Sequence, residues 1–125
     1  MNFIHNQSIF IQIADRIADR VLDNTYKSGE RIPSVRELAS EMEVNPNTVM
    51  RSYERLQNRE IIYNKRGIGY FISPDAKKKI AAIRHSEFIE EVLPHVFNEM
   101  LLLGVSLEEI AEAYTNYLSK QKKKS

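Results

Sequence analysis

The stretch Asn45-Pro46-Asn47-Thr48-Val49-Met50-Arg51-Ser52-Tyr53-Glu54-Arg55-Leu56 decides how the chain is read. Asn45 is a strong N-cap, and Pro46 suits the first helical position, where its missing N–H costs nothing. Val49, Tyr53 and Leu56 recur at helical spacing and form an inward face. Asn47, Thr48, Arg51 and Arg55 are left to point outward. A short, sharply capped helix with amides, a hydroxyl and guanidinium groups on one side suits the major groove of DNA, where such groups read base edges.

The residues just upstream complete a motif. Ser34-Val35-Arg36-Glu37 is a capping box, with Ser34 as cap and Glu37 three residues on. Val35, Leu38, Ala39 and Met42 face inward, and the helix ends near Glu43. Two short helices separated by a few residues, the second on a polar cap, make a helix-turn-helix. Further upstream, residues 1–7 read as an extended entry. From Ser8 to about Asn24, Phe10, Ile13, Ala14, Ile17, Val21 and Leu22 share one face, opposite Asp15, Arg16, Asp19, Arg20 and Asp23. Tyr26 to Glu30 is a turn. Arg31-Ile32-Pro33 is extended, because the residue before proline is pushed out of the helical region.

Downstream, Gln57 to Glu60 closes the second helix of the motif. Ile61-Ile62-Tyr63 reads as a strand, Asn64 to Gly69 as a turn, and Tyr70-Phe71-Ile72 as the return strand. The turn is basic and carries two glycines. A helix-turn-helix followed by such a hairpin is a winged helix, whose wing lies along the backbone or enters the minor groove. Ser73-Pro74 reads as the cap and first turn of a long helix, with Pro94 expected to kink or break it near Glu91–Leu93. Gly104 suits the end of that helix, and Ser106-Leu107-Glu108-Glu109 is a second capping box. Leu107, Ile110, Ala111, Tyr114, Tyr117 and Leu118 then share a face, and Lys120 to Ser125 reads as a basic, frayed tail. The expected fold is mainly α with a small β-hairpin. A winged helix-turn-helix domain spans residues 1–75, and a C-terminal helical dimerisation region spans 76–125.

Composition sets outer bounds. The 125 residues are 42% hydrophobic and 28% charged, an ordinary globular balance that argues against disorder. There is no cysteine, so disulfides and thiolate metal sites are excluded. The N-terminus lacks the basic and apolar regions of a signal peptide, and no apolar run approaches membrane length. These features place the expected protein in the cytoplasm with no membrane partner. Net charge is only +1, but from Asn45 to Gly69 the basic residues Arg51, Arg55, Arg59, Lys65 and Arg66 outnumber Glu54 and Glu60 by three. Such a local patch on a near-neutral protein is compatible with DNA binding, and equally with a solvated mixed face.

The apolar residues beyond the wing exceed what one face needs. Phe88, Ile89, Val92, Val96, Met100, Leu103, Ile110 and Tyr114 are the expected dimerisation residues. Two helices cannot enclose a core of their own, and the simplest cover is the same element of a second chain on a two-fold axis. The competing arrangement folds both helices back on the winged domain in a monomer.

Taken together, Ser28-Gly29-Glu30-Arg31-Ile32-Pro33-Ser34-Val35-Arg36-Glu37-Leu38-Ala39, then Val44-Asn45-Pro46-Asn47-Thr48-Val49, then Tyr53 and Leu56, then Gly67-Ile68-Gly69-Tyr70-Phe71-Ile72, closely resemble the GntR family of bacterial transcription regulators. The match runs from about Ile9 to Ile72. The short two-helix tail resembles the YtrA-type branch, in which Val-Asn-Pro-Asn-Thr is also usual. The resemblance implies a homodimeric repressor on a palindromic double-stranded DNA operator, often near a transporter operon. It implies that Arg36 contacts the operator, that positions 45–51 supply groove contacts, and that the glycine-bearing wing tip enters the minor groove. The sequence departs from the pattern twice. Pro46 stands where many relatives carry Arg, which shifts base readout toward Asn47 and Arg51. Arg59-Glu60-Ile61-Ile62 lacks the glycine usual after the recognition helix, so the exit geometry has to be read from the structure.

The candidate DNA-binding residues are therefore Ser34, Arg36, Asn45, Asn47, Thr48, Arg51, Arg55, Lys65, Arg66, Gly67 and Gly69. Each has a plainer reading: Arg36 as a surface residue beside Glu37 or Glu41, Thr48 as a second cap, Lys65 and Arg66 as a solubilising tip. His85, His95 and Glu91 share a helix but do not make a recognisable metal set, and no cofactor is expected. No nucleophile–base pair or phosphate-binding loop points to an enzyme. A winged helix used as a protein-interaction module is the alternative function. A small-molecule effector, if one acts, would shift the separation of the two recognition helices.

Overall fold

The structure is a computed structural model, and it describes residues 7–124. The extended entry expected for residues 1–7 lies, apart from Gln7, outside the described residues, as does His5. The elements run α1 (Ile9–Leu22), α2 (Val35–Met42), α3 (Pro46–Asn58), β1 (Ile62–Lys65), β2 (Gly69–Ile72), α4 (Ala76–Glu87), a π turn (Phe88–Val92), α5 (Leu93–Leu103) and α6 (Leu107–Lys124). The chain divides into two compact units, one reaching His85 and one beginning at Ser86.

The first unit is a winged helix. α1 turns Ile13, Ala14, Ile17, Ala18 and Val21 into the core, while Phe10 and Leu22 at its ends are half-buried. The helix stops two residues before the expected Asn24, which takes a positive φ of 68°. α2 contributes Leu38 and Ala39, and α3 contributes Val49, Ser52, Tyr53 and Leu56. Burial of the apolar side chains among these is the main term holding the three helices together.

β1 and β2 pair antiparallel in the register Ile62↔Ile72, Tyr63↔Phe71, Asn64↔Tyr70 and Lys65↔Gly69. The strands reach further into the expected turn than the apolar pattern indicated, because Asn64, Lys65 and Gly69 complete the ladder and leave Arg66 to Ile68 as the tip. The segment before α2 adds a third, minimal strand: the Ile32 N–H donates to the Tyr70 carbonyl at 3.0 Å, and the Ile72 N–H donates to the Glu30 carbonyl at 2.9 Å. Tyr70 and Phe71 are both half-buried. Tyr70 meets Tyr53 edge to face with centroids 4.9 Å apart, and Phe71 stacks on Tyr63 at 5.7 Å.

The expected start of the next helix is corrected. Ser73 is buried and closes the hairpin with its N–H on the Ile61 carbonyl at 2.9 Å, and the first helical bond runs from the Lys79 N–H to the Asp75 carbonyl at 3.1 Å, two residues past the expected cap. Pro74 and Asp75 form a turn, and α4 begins at Ala76. Ala76 and Ile80 are buried in the winged-helix core, and the Arg84 guanidinium meets Asp19 at 2.6 Å and the Asp15 carbonyl at 3.0 Å on α1. Most of α4 thus belongs with the winged helix, beyond residue 75.

In the second unit the helix is not broken at Pro94. A π turn over Phe88–Val92 precedes α5, and the Leu93 N–H donates to the Phe88 carbonyl. One wider turn absorbs the hydrogen bond and the space that proline removes. α5 ends on Gly104 in the left-handed region at φ 68°. Ser106 caps α6, its hydroxyl accepting from the Glu109 N–H at 3.2 Å. The basic tail is helical to Lys124 rather than frayed after Lys120.

Candidate nucleic-acid interface

The centre of the site is the N-terminal half of α3. The Asn45 side chain accepts from the Asn47 N–H at 2.8 Å, and Pro46 occupies the first turn. The preceding turn is set by Glu43 in the left-handed region at φ 55°, with the Val44 N–H returning to the Ala39 carbonyl at 3.0 Å. α2 and α3 therefore meet through three residues, both ends of the turn closed by hydrogen bonds.

Behind this turn α3 is anchored by residues with no exposure. Val49 and Tyr53 enter the core, and the buried Ser52 hydroxyl donates to the Phe10 carbonyl at 2.6 Å. The opposite side of the helix shows Asn47, Met50, Arg51, Glu54 and Asn58, all exposed. Asn47 retains its amide for a ligand. Asn45 is exposed too, but its carbonyl oxygen is occupied by the cap, leaving only its NH₂ to donate.

The three arginines along one edge of α3 stand in different surroundings. The Arg51 guanidinium carbon lies 4.1 Å from the centre of the Phe10 ring. Arg55 and Arg59 are half-buried and lie in the field of Asp15, whose carboxyl is pushed above its ordinary value by burial even though Arg84 and Arg55 oppose that shift. All three arginines line one cleft of about 300 Å³ with Phe10, Glu54 and Asn58, in which Arg51 is the exposed one and lies against the ring, while Arg55 and Arg59 lie nearer Asp15.

Two clamps flank the helix. Ser34 is half-buried and engaged in its capping box: the Glu37 N–H donates to its hydroxyl at 3.1 Å, and the Ser34 N–H donates to the Glu37 carboxylate at 2.9 Å. Arg36, one residue into α2, is exposed and makes no ion pair with Glu37 or Glu41. In the wing, Lys65 ends β1 with its ammonium 4.7 Å from the Phe71 ring centre, and Arg66 and Gly67 form the exposed tip. Gly67 takes a φ of 79°. Gly69 takes a φ of 145°, and a side chain there would begin 2.8 Å from the Arg31 Nε.

Thr48 is half-buried in the first turn of α3, its N–H held by the Asn45 carbonyl at 2.9 Å. Three residues not singled out from the sequence join the site. Met50, 39% exposed, stands beside Asn47 on the outer face and suits apolar contact with a thymine methyl. Ile68, 59% exposed, puts an apolar group at the wing tip. Arg31 lies across Gly69. The signals for them were an apolar residue three positions from Asn47, an aliphatic between two turn glycines, and a cation on the strand facing the second glycine. No group of His, Asp or Glu among the described residues is arranged to hold a metal ion. No helix among them is long and apolar enough to cross a membrane.

A capped helix with a polar outer face, set behind a tight turn and flanked by a basic hairpin, defines a winged helix-turn-helix DNA-binding protein. Comparison with known proteins makes the class specific. Residues 11–72 match the family of bacterial regulatory proteins named gntR. The HTH-type transcriptional regulator YhcF of Bacillus subtilis is 34% identical over 92% of this chain and 93% of its own. The HTH-type transcriptional repressor YtrA of the same organism is 36% identical over 83% of this chain and 79% of its own. A crystal structure of a GntR-family regulator from Bacteroides thetaiotaomicron superposes with a TM-score of 0.80 at 46% identity, over 91% of this chain and 99% of that one. The chain belongs to the GntR family of transcription regulators and resembles its YtrA-type members.

Proposed function

We propose that this regulator is a homodimeric repressor that binds a palindromic operator, with the α3 of each subunit in successive major grooves about 34–36 Å apart. The observation that carries the proposal is the division of α3. Val49, Ser52, Tyr53 and Leu56 are buried, while Asn47 and Arg51 are exposed, as is Arg36 on α2. Asn47 and Arg51 read base edges, Arg36 and the Lys65–Gly69 wing hold phosphates or the minor groove, and Ser34, Asn45 and Thr48 add backbone contacts. Arg55 contributes charge rather than readout.

The second unit supplies the two-fold partner. Every residue from 107 to 123 is exposed, including Leu107, Ile110, Tyr114 and Leu118. Phe88, Ile89 and Leu103 are exposed as well, and Val92, Val96 and Met100 are half-buried. An apolar face of this extent on a DNA-binding chain suits a second copy of itself, since a palindrome needs two recognition helices. The repressor sense follows the relative YtrA, and the family resemblance favours a neighbouring transporter operon, with action in the cytoplasm. A ligand that altered the pairing of the two copies would act as effector.

The test is a gel shift of the full-length chain against fragments of its host genome at rising salt. Sequence-selective binding that weakens steeply with salt is expected. Absence of any salt-dependent duplex binding would favour a protein-interaction module instead.

A further inference from the structure

Phe10 lies on α1, outside the helix-turn-helix, yet its ring carries the guanidinium of Arg51 at 4.1 Å. The backbone of Phe10 is fastened to the same helix. Ser52, the residue after Arg51, is fully buried and donates its hydroxyl to the Phe10 carbonyl at 2.6 Å. Ring and arginine therefore share one frame, fixed by a short, partly buried hydrogen bond.

The kind of partner matters. Arg55 and Arg59 stand in the field of the Asp15 carboxylate. That field offsets part of their charge. An aromatic face attracts the cation through its quadrupole and uses none of the five N–H donors. Glu54 lines the same cleft but makes no ion pair with Arg51. Arg51 thus keeps its full charge and its donor fork while its swing is restricted. A pre-oriented fork suits a paired acceptor such as O6 and N7 of guanine, and less side-chain freedom is lost on docking.

We infer that Phe10 is a positioning residue for DNA recognition: by stacking under Arg51 it orients the guanidinium toward one base pair of each half-site. The inference rests on the reading of α3 as the recognition helix.

The experiment uses the full-length chain and the duplex it enriches most from a random-sequence pool, with an unenriched duplex of equal length as reference. Binding is followed by fluorescence anisotropy for Phe10→Leu, Arg51→Ala and the double variant. Phe10→Leu should weaken the enriched duplex about three- to tenfold, leave the reference duplex unchanged, and keep the salt slope, since no charge is lost. It should add nothing to Arg51→Ala. Phe10→Tyr, which keeps the ring face, should bind as the parent does. A ring-fluorinated phenylalanine at position 10 keeps the shape but depletes the ring face, so it should reproduce the loss even where Phe10→Leu fails to fold. Additive losses, parental affinity with the fluorinated ring, or full affinity of Arg51→Ala would overturn the inference and leave DNA recognition by α3 standing. Tighter binding by Phe10→Leu would also overturn it, by showing that the ring withholds Arg51. If the parent chain enriches no sequence, the recognition reading fails and the inference with it.

Discussion

Tyr53 on α3 donates its hydroxyl to the carbonyl of Pro33 at 2.6 Å, tying the recognition helix to the residue just before the α2 cap. The ring is fully buried, and that burial pushes the phenol far above its ordinary range, so it remains a donor at any physiological pH. Tyr53→Phe keeps the packing and leaves the Pro33 carbonyl without its donor. A loss of about 1 kcal/mol is expected, measured as a lower urea midpoint with unchanged slope. An unaltered midpoint would show that the bond does not hold α2 and α3 together.

Glu60, in the stretch after α3 where the family resemblance implies a glycine and none stands, adopts the left-handed conformation at φ 61°. Its carboxylate meets the Lys79 ammonium at 3.1 Å on the surface. An exposed pair contributes little, whereas left-handed φ is costly for a residue with a Cβ. Glu60→Gly should therefore stabilise the winged helix by up to about 1 kcal/mol after the entropy of the extra glycine is counted. Calorimetric melting would read this as a higher Tm, and a lower Tm would give the ion pair the larger role.

The capping box makes the fold sensitive to acid. Hydrogen bonds from the Ser34 backbone and side chain hold the Glu37 carboxyl below its ordinary value of 4.5. A carboxyl lowered in the folded state stabilises at pH above its unfolded value, and that stabilisation is lost as pH falls through the folded one. Melting temperature should thus fall below about pH 4.5, and Glu37→Ala should reduce that dependence while lowering stability at neutral pH. Equal acid sensitivity in both proteins would remove Glu37 from the account.

Phosphate and base contacts should separate by their salt behaviour. Arg51→Ala, at the base-reading helix, and Arg36→Ala, at the flanking clamp, should each weaken operator binding by roughly 1–3 kcal/mol without altering oligomeric state, and only Arg51→Ala should relax sequence choice. Lys65→Ala, at the wing, should weaken all duplexes alike and lower the salt slope by about one. Titrations at several salt concentrations would test both statements, and full operator affinity in the two arginine variants would refute the proposed reading head.

Ile110 lies on the face of α6 proposed to meet a second copy, and it is 37% exposed. Ile110→Glu would place charges opposite one another across a two-fold interface. Sedimentation should shift from dimer to monomer while circular dichroism keeps its helical signal. A dimer that persists would move the interface elsewhere.

Most of the winged helix was legible because its signals are local and chemical. Ser34 with Glu37, Asn45 with Pro46, and the period of Val49, Tyr53 and Leu56 each imply one geometry. The errors fell where a distant partner decided the outcome. Ser73 has the composition of a cap, but the hairpin holds it through the Ile61 carbonyl and the helix starts from Asp75 instead. Pro94 reads as a kink or a break, and the helix takes the milder course through one local π turn. Arg55 already ranks behind Arg51 by its place further along the helix, but the ring of Phe10 under Arg51 and the nearness of Asp15 to Arg55, both on α1, could not be read from the sequence.

The two faces of α3 answer to different selective pressures. Val49, Ser52, Tyr53 and Leu56 answer to the interior, Asn47 and Met50 answer to what arrives from outside, and Arg51 answers to both. A descendant gene could acquire a new set of target promoters by exchanging these few outer residues while inheriting the inner ones untouched. The position least free to drift in that way is Arg51, because its exchange would also strand the ring of Phe10.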